Sequence, residues 1–273
     1  SIKSMQLTLI YLATALPVVL LLGIVYYVDR FKEPPRFIIG TFFLGVGLVY
    51  PLRFFIIIVE DVIGPIVGID PESWGAYQNF FRAAYLEESL KFIFLIYFCA
   101  RLTEMDEPID PIIYGAALGL GYAGYENIGW VFSEARYTVG GISNYNEVWE
   151  MVLIRIGPAF GHLGLGIIMG SLVSMNLFNQ WDPFKRRLYI VLALMVPVIL
   201  HGTHNHFAAL ESFHVLTVLI IASILILYYH RREQSKKIVE REDRLRIQNK
   251  DVLISYLSTF ALVVLIILIS QNK

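Results

Sequence analysis

Long apolar runs separated by short polar turns dominate the chain, and their lengths decide the fold class. Residues 5–28 contain no charged side chain. At about 1.5 Å of rise per residue, a helix of that length covers a hydrocarbon core of roughly 30 Å. The polar turn at 29–36 contains Pro34 and Pro35, which end one helix and open the next. Further membrane-crossing helices are expected over 37–59, 80–100, 111–132, 151–178, 188–209, 213–229 and 252–270. Residues 60–77, with Gly64-Pro65, Asp70-Pro71 and Trp74, read as a loop lying in the membrane interface. Residues 133–150 read as a polar loop, and 231–251, charged throughout, as a solvated or juxtamembrane helix. The prediction is an all-α polytopic membrane protein of about eight transmembrane helices.

Composition narrows this further. At 56% hydrophobic and 16% charged residues, the chain is too apolar for an ordinary soluble domain. Its basic residues sit in loops and form no stripe for a nucleic-acid groove, so nucleic acid is not an expected partner. A single cysteine, Cys99, excludes an intrachain disulfide and a thiolate metal cluster. The first apolar run is too long for the apolar region of a signal peptide and is expected to stay as a span. With eight spans the loops fall into two alternating sets, one holding fifteen lysines and arginines and the other, termini included, four. The positive-inside rule then places both termini outside the cell membrane and the 230–251 segment in the cytoplasm.

Against this apolar background, Glu87, Glu88 and Lys91 stand inside one expected span. Each charge at mid-membrane costs roughly 2.5–3.5 kcal/mol on insertion scales, so three together need pairing, water and a use. At helical spacing Lys91 can reach either glutamate, neutralising one and leaving the other free. The next expected spans carry Glu126-Asn127, then Arg155 and His162, then His201 and Asn205. Gly115, Gly119, Gly121 and Gly124, with Gly157, Gly161 and Gly164, supply faces for close helix approach. In the predicted orientation Glu87, Glu88 and His162 lie early in helices entering from outside, whereas Glu126, His201 and Asn205 lie late in helices returning there. All six therefore fall in the outer half of the membrane, at similar depth. Arg155, at the same level, is a structural alternative as partner for Glu126. Lys91 reads as structural, His204, His206 and His214 as interfacial polar groups, and Arg53 is unexplained.

Glu87-Glu88-x-x-Lys91, the Tyr114-to-Tyr122 glycine run leading to Glu126-Asn127, Gly161-His162 with Gly164 and Gly166, and His201-x-x-x-Asn205 resemble in order and spacing the motifs of the PrsW family of intramembrane proteases. That family is grouped with prenyl-protein (CAAX) endopeptidases and bacteriocin-processing enzymes. The resemblance covers residues 80–210 and implies a catalytic four-helix core there, within the single transmembrane domain that hydropathy predicts over 1–273, with Glu87, Glu88, Glu126, His162, His201 and Asn205 as the catalytic residues. It also implies a single-span, membrane-anchored substrate of the anti-sigma-factor kind. The extra histidines His204 and His206 depart from the pattern.

The residue types fit peptide hydrolysis, which needs an activated water, a proton donor and groups facing the developing oxyanion. Glu87 is the expected base, Glu88 or His162 a second hold on the water, and His201 with Asn205 the oxyanion donors. No serine or cysteine occupies a comparable setting for a covalent route. Carboxylates and imidazoles also suit zinc, so a metalloprotease stays open beside the favoured metal-free glutamic mechanism, although no His-x-x-x-His pair on one helix marks a zinc site. An ion- or proton-coupled transporter, and a non-catalytic scaffold binding another protein's helix, are the remaining alternatives.

Overall fold

In a computed structural model the chain is mostly helical, with no strand, over its described residues, which are 2–63, 75–139, 144–179, 181–207, 209–234 and 246–271. The helices are α1 (Ile2–Val28), α2 (Pro35–Gly47), α3 (Val49–Ile57), α4 (Leu86–Tyr97), α5 (Asp110–Val139), α6 (Tyr145–Ile154), α7 (Ile156–Phe178), α8 (Pro183–His206), α9 (Ala209–Glu233) and α10 (Asn249–Gln271). Two wider, π-helical stretches interrupt the pattern: Ile58–Ile63 continues α3, and Tyr77–Tyr85 leads directly into α4.

Six helical runs are long and apolar enough to cross a membrane: Met5–Val28, Pro35–Val62, Tyr145–Phe178, Pro183–His206, Phe213–Glu233 and Asn249–Ser270. The protein is therefore multi-pass. The runs expected at 80–100 and 111–132 fall outside this set for a physical reason. The first carries Arg82, Glu87, Glu88 and Lys91, and its α-helical part is only 12 residues long. The second, α5, spends its length on glycines, tyrosines and Glu126. It is instead the most enclosed helix: Ile112, Ile113, Tyr114, Ala116, Ala117, Leu120 and Ala123 have no exposed surface. Its heaviest packing is against α7 and α2, with α1 alongside.

That enclosure depends on backbones meeting without side chains between them. A Cβ on Gly119 would run into the carbonyl of His162, and one on Gly121 into the carbonyl of Phe42. Glycine at these two positions lets α5 lie against α7 on one side and α2 on the other, as small residues do between membrane helices.

The expected loop at 133–150 is largely helix. α5 runs on to Val139, and α6 starts after Asn144, whose side chain accepts from the amides of Asn146 and Glu147. An Asn cap of this kind satisfies the otherwise orphaned first-turn donors, so polar composition alone was a poor guide here. The interfacial loop with Trp74 and most of the charged 231–251 segment lie outside the described residues.

The end of the bundle where α1 meets α2 gathers four buried carboxylates: Asp29, Glu33, Glu107 and Asp110. Asp29 accepts from the amides of Phe31 and Glu33, and the Gln234 side chain donates to Asp29 at 2.5 Å and to Glu107 at 2.7 Å. The Tyr114 hydroxyl donates to Glu33 at 2.5 Å. Burial pushes the Glu33 carboxyl up to about 7, against the lowering effect of the Tyr114 bond and with help from Asp29, Asp106 and Glu104. Burial raises Glu107 as well.

A carboxyl raised in the folded state stabilises fully below its unfolded value, and that contribution is lost as pH rises through the folded value. The fold should therefore weaken between about pH 4.5 and 7 through Glu33. Glu33→Gln keeps an acceptor for Tyr114 and removes the charge. Thermal melts of this variant should show a flatter pH dependence and, at pH 8, a midpoint raised by roughly 2–4 °C. An unchanged pH profile would show that Glu33 does not carry it.

Candidate active site

The structure brings five of the six expected residues into one buried cluster. Glu87 and Glu88 open α4, Glu126 comes from α5, His162 from α7 and His201 from α8. Ligand atoms of Glu87, Glu88, His162 and His201 lie within 4.8 Å of one another. The sixth, Asn205, lies one turn past His201 on an exposed part of α8, and none of the described contacts joins it to the cluster.

Lys91 is the centre. Its ammonium donates to Glu88 Oε1 at 2.7 Å and to His162 Nδ1 at 3.0 Å, and stands 4.4 Å from the centre of the Tyr122 ring. The sequence spacing allowed it either glutamate, and it takes Glu88, which has no exposed surface. Because Nδ1 of His162 accepts, its Nε2 carries the proton and donates to Glu126 Oε2 at 3.2 Å. Glu88 Oε1 also receives Nδ1–H of His201 at 2.9 Å. The other nitrogen of His201, Nε2, faces Glu87 Oε2 at 4.0 Å. Neither Glu87 Oε2 nor Glu88 Oε2 has a hydrogen-bond partner among the described residues, although both are buried.

Arg155 completes the charge balance. It sits at the break between α6 and α7, where its guanidinium lies 2.7 Å from Glu126 Oε2. Asn127 holds it there, accepting from Arg155 Nε at 2.8 Å and donating to the Arg155 carbonyl at 2.9 Å. Glu126 thus meets the structural partner suggested by the sequence and a histidine of the cluster at the same time. With Lys91 balancing Glu88 and Arg155 balancing Glu126, Glu87 is the carboxylate left without a cation.

Two contributors were not singled out from sequence. Tyr122 packs its ring 5.2 Å from that of His162 and walls the cluster beneath Lys91, and Asn127 acts only through Arg155. The signal for Tyr122 was its position one helical turn before Glu126 on the same face. Of the extra histidines, His206 meets Asn79 at 3.3 Å, away from the cluster.

Comparisons with known proteins identify the family. The sequence model of the PrsW family intramembrane metalloproteases matches residues 33–229. The chain belongs to the PrsW family. Among curated relatives, Protease PrsW of Bacillus subtilis (strain 168) is 30% identical over 193 residues, covering 69% of this chain and 78% of the relative. Protease PrsW of Clostridioides difficile (strain 630) is 27% identical over 241 residues, covering 88% and 95%. Protease PrsW of Geobacillus kaustophilus (strain HTA426) is 29% identical over 192 residues, covering 69% and 75%. No solved structure matches the chain. The protein is thus a PrsW-family intramembrane protease, and the matched region contains every residue of the cluster.

The seam between Gly119 and His162 positions the imidazole. Gly119→Ala should force α5 and α7 apart, costing about 1–3 kcal/mol of stability and lowering activity out of proportion to the loss of folded protein. Gly23→Ala, where an added Cβ meets nothing within 4 Å, is the control and should leave both unchanged. Equal behaviour of the two variants in thermal melts and cleavage assays would remove the seam from its positioning role.

Proposed function

We propose that the protein hydrolyses a peptide bond in a single-span, membrane-anchored substrate, using a water molecule activated by Glu87 without a metal. The observation that carries this reading is the gap between the unpartnered oxygen of Glu87 and Nε2 of His201, 4.0 Å apart. A water about 2.8 Å from each would subtend an angle of roughly 90° there, close to its preferred geometry. Glu87 takes a proton from that water as the oxygen attacks the scissile carbonyl, then returns it to the departing amine nitrogen. Glu88, pinned by Lys91, fixes the His201 tautomer so that a lone pair, not an N–H, meets the water. In this neutral form His201 cannot donate to the oxyanion. That role falls to the Lys91 charge and to the Tyr122 hydroxyl, which lies within reach of Glu87. The exposed amide of Asn205 is left to hold the substrate chain.

The family description includes a metal, and zinc is the alternative cofactor. As arranged, the donors do not suit it. Both nitrogens of His162 are engaged, one by Lys91 and one by Glu126. A tetrahedral zinc with bonds of about 2.0–2.1 Å needs donors roughly 3.4 Å apart, closer than Glu87 and His201 stand. The Lys91 ammonium, bonded to two of the candidate ligands, already places a positive charge among them.

Glu87→Gln keeps the shape but cannot accept a proton, and should lower cleavage by at least about 10²-fold in a protein that still folds. Purified wild type should retain its activity after exhaustive chelation. Full activity in Glu87→Gln, or loss on chelation reversed by zinc, would overturn the mechanism.

The depth of the site sets where the cut falls. Glu87 lies early in its helix and His201 late in α8, both toward the side that the loop charges assign as extracytoplasmic, where water enters at least cost. Helical substrates protect their amides until they unwind, which is easiest at a membrane edge. The scissile bond should lie at or just beyond the extracytoplasmic end of the substrate's membrane segment, as expected for an anti-sigma-like regulator of the cell membrane. Mass spectrometry of the product termini checks this. A cut in the cytoplasmic half would contradict the orientation.

A further inference from the structure

A cavity of about 280 Å³ opens between α3 and the outer part of α5, lined by Val49, Arg53, Tyr122, Tyr125, Glu126 and Trp130 among others. Two of its walls, Tyr122 and Glu126, are also walls of the catalytic cluster. Its floor is built by packing: Val49 and Leu52 of α3 lie with Leu90 of α4 against Tyr122.

The charges lining it do not balance. The Glu126 carboxylate is committed to Arg155 at 2.7 Å, to His162 at 3.2 Å and to the Trp130 indole N–H at 3.3 Å. Arg53 has no carboxylate within ion-pair distance among the described residues, whereas Arg82, further out, pairs with Glu60 at 2.8 Å. Seven positions separate Arg53 from Glu60, so its Cα lies about 10 Å deeper along the same helical run. An unpaired guanidinium at this depth is costly, and such groups mark functional sites. Among the described residues the cavity is therefore aromatic-walled with one uncompensated positive charge, and it shares Tyr122 and Glu126 with the cluster that holds Glu87.

We propose that this cavity is the substrate subsite beside the scissile bond and that Arg53 makes it selective for an acidic side chain. The inference rests on the protease reading and adds a substrate preference to it. A flexible carboxylate arriving with the substrate chain gains a planar, five-donor partner that is more weakly hydrated than an ammonium, and the tyrosine and tryptophan faces cover its methylene stem. The other source of an anion at this level is the phosphate of a lipid headgroup, which would bind irrespective of substrate sequence.

The test uses the full chain in lipid vesicles with synthetic single-span reporter peptides. Each carries one Asp, moved residue by residue through the extracytoplasmic juxtamembrane segment, and is paired with an Asn peptide of otherwise identical sequence. Wild type should cleave the Asp peptide about tenfold faster than its Asn counterpart at one register. That ratio should fall to near one in Arg53→Gln, and Arg53→Glu should favour Lys at the same register. Binding of the same peptides to Glu87→Gln and to Glu87→Gln with Arg53→Gln separates subsite from chemistry. An Arg53-dependent preference in binding without any wild-type cleavage would sink the protease reading and keep the subsite. Cleavage whose register dependence is the same in wild type and Arg53→Gln would overturn the subsite. An Arg53 effect that follows phosphatidylglycerol content of the vesicles and not the Asp register would assign the guanidinium to lipid instead.

Discussion

The ammonium of Lys91 is the constraint on which the site depends. A buried cation must be met by acceptors, and this one is met by a carboxylate on its own helix and an imidazole from another. The contact to His162 leaves that ring's proton on Nε2, and Glu88, held by Lys91, takes the Nδ1–H of His201. These contacts also decide which glutamate is spent on neutralisation. The free carboxylate of Glu87 exists because its neighbour Glu88 is not free.

This hub can form only where three backbones come close. The mutual approach of α5 and α7 through their glycines brings the His162 carbonyl against Gly119, so the imidazole one residue face away is carried to the helix that holds Glu126. Arg155 then enters from the break between α6 and α7, with Asn127 bonding both its side chain and its carbonyl. Packing and charge are the same problem here. Small residues permit the approach, and the approach lets charged groups satisfy one another away from water.

Much of this was legible in the chain because membrane helices obey two simple rules, apolar length and helical spacing. Lys91 at three and four residues from the glutamates, and six polar residues at matching depths, point to a common site, and five of the six meet. Depth cannot give azimuth, however, and Asn205 shares a nominal face with His201 yet is exposed where α8 nears its end. Hydropathy also undercounts helices that are hidden within the bundle: α5 is deeply buried but glycine- and tyrosine-rich, and α4 is short and charged. Polarity misled at 133–150, where a cap at Asn144 starts a helix inside an apparent loop. Tyr122 could not stand out, since a tyrosine in an apolar helix ordinarily signals packing.

The nine π-helical residues from Tyr77 to Tyr85 end at the residue before α4, two positions short of Glu87. A π turn closes its hydrogen bonds over five residues where an α turn uses four, so it winds the chain more loosely. One residue absorbed or released by such a stretch rotates everything downstream by about 100° relative to everything upstream. The residue count of this stretch therefore sets the face of α4 on which Glu87 emerges, and Phe92 and Leu95, seated in the core, hold the rest of the helix to that setting.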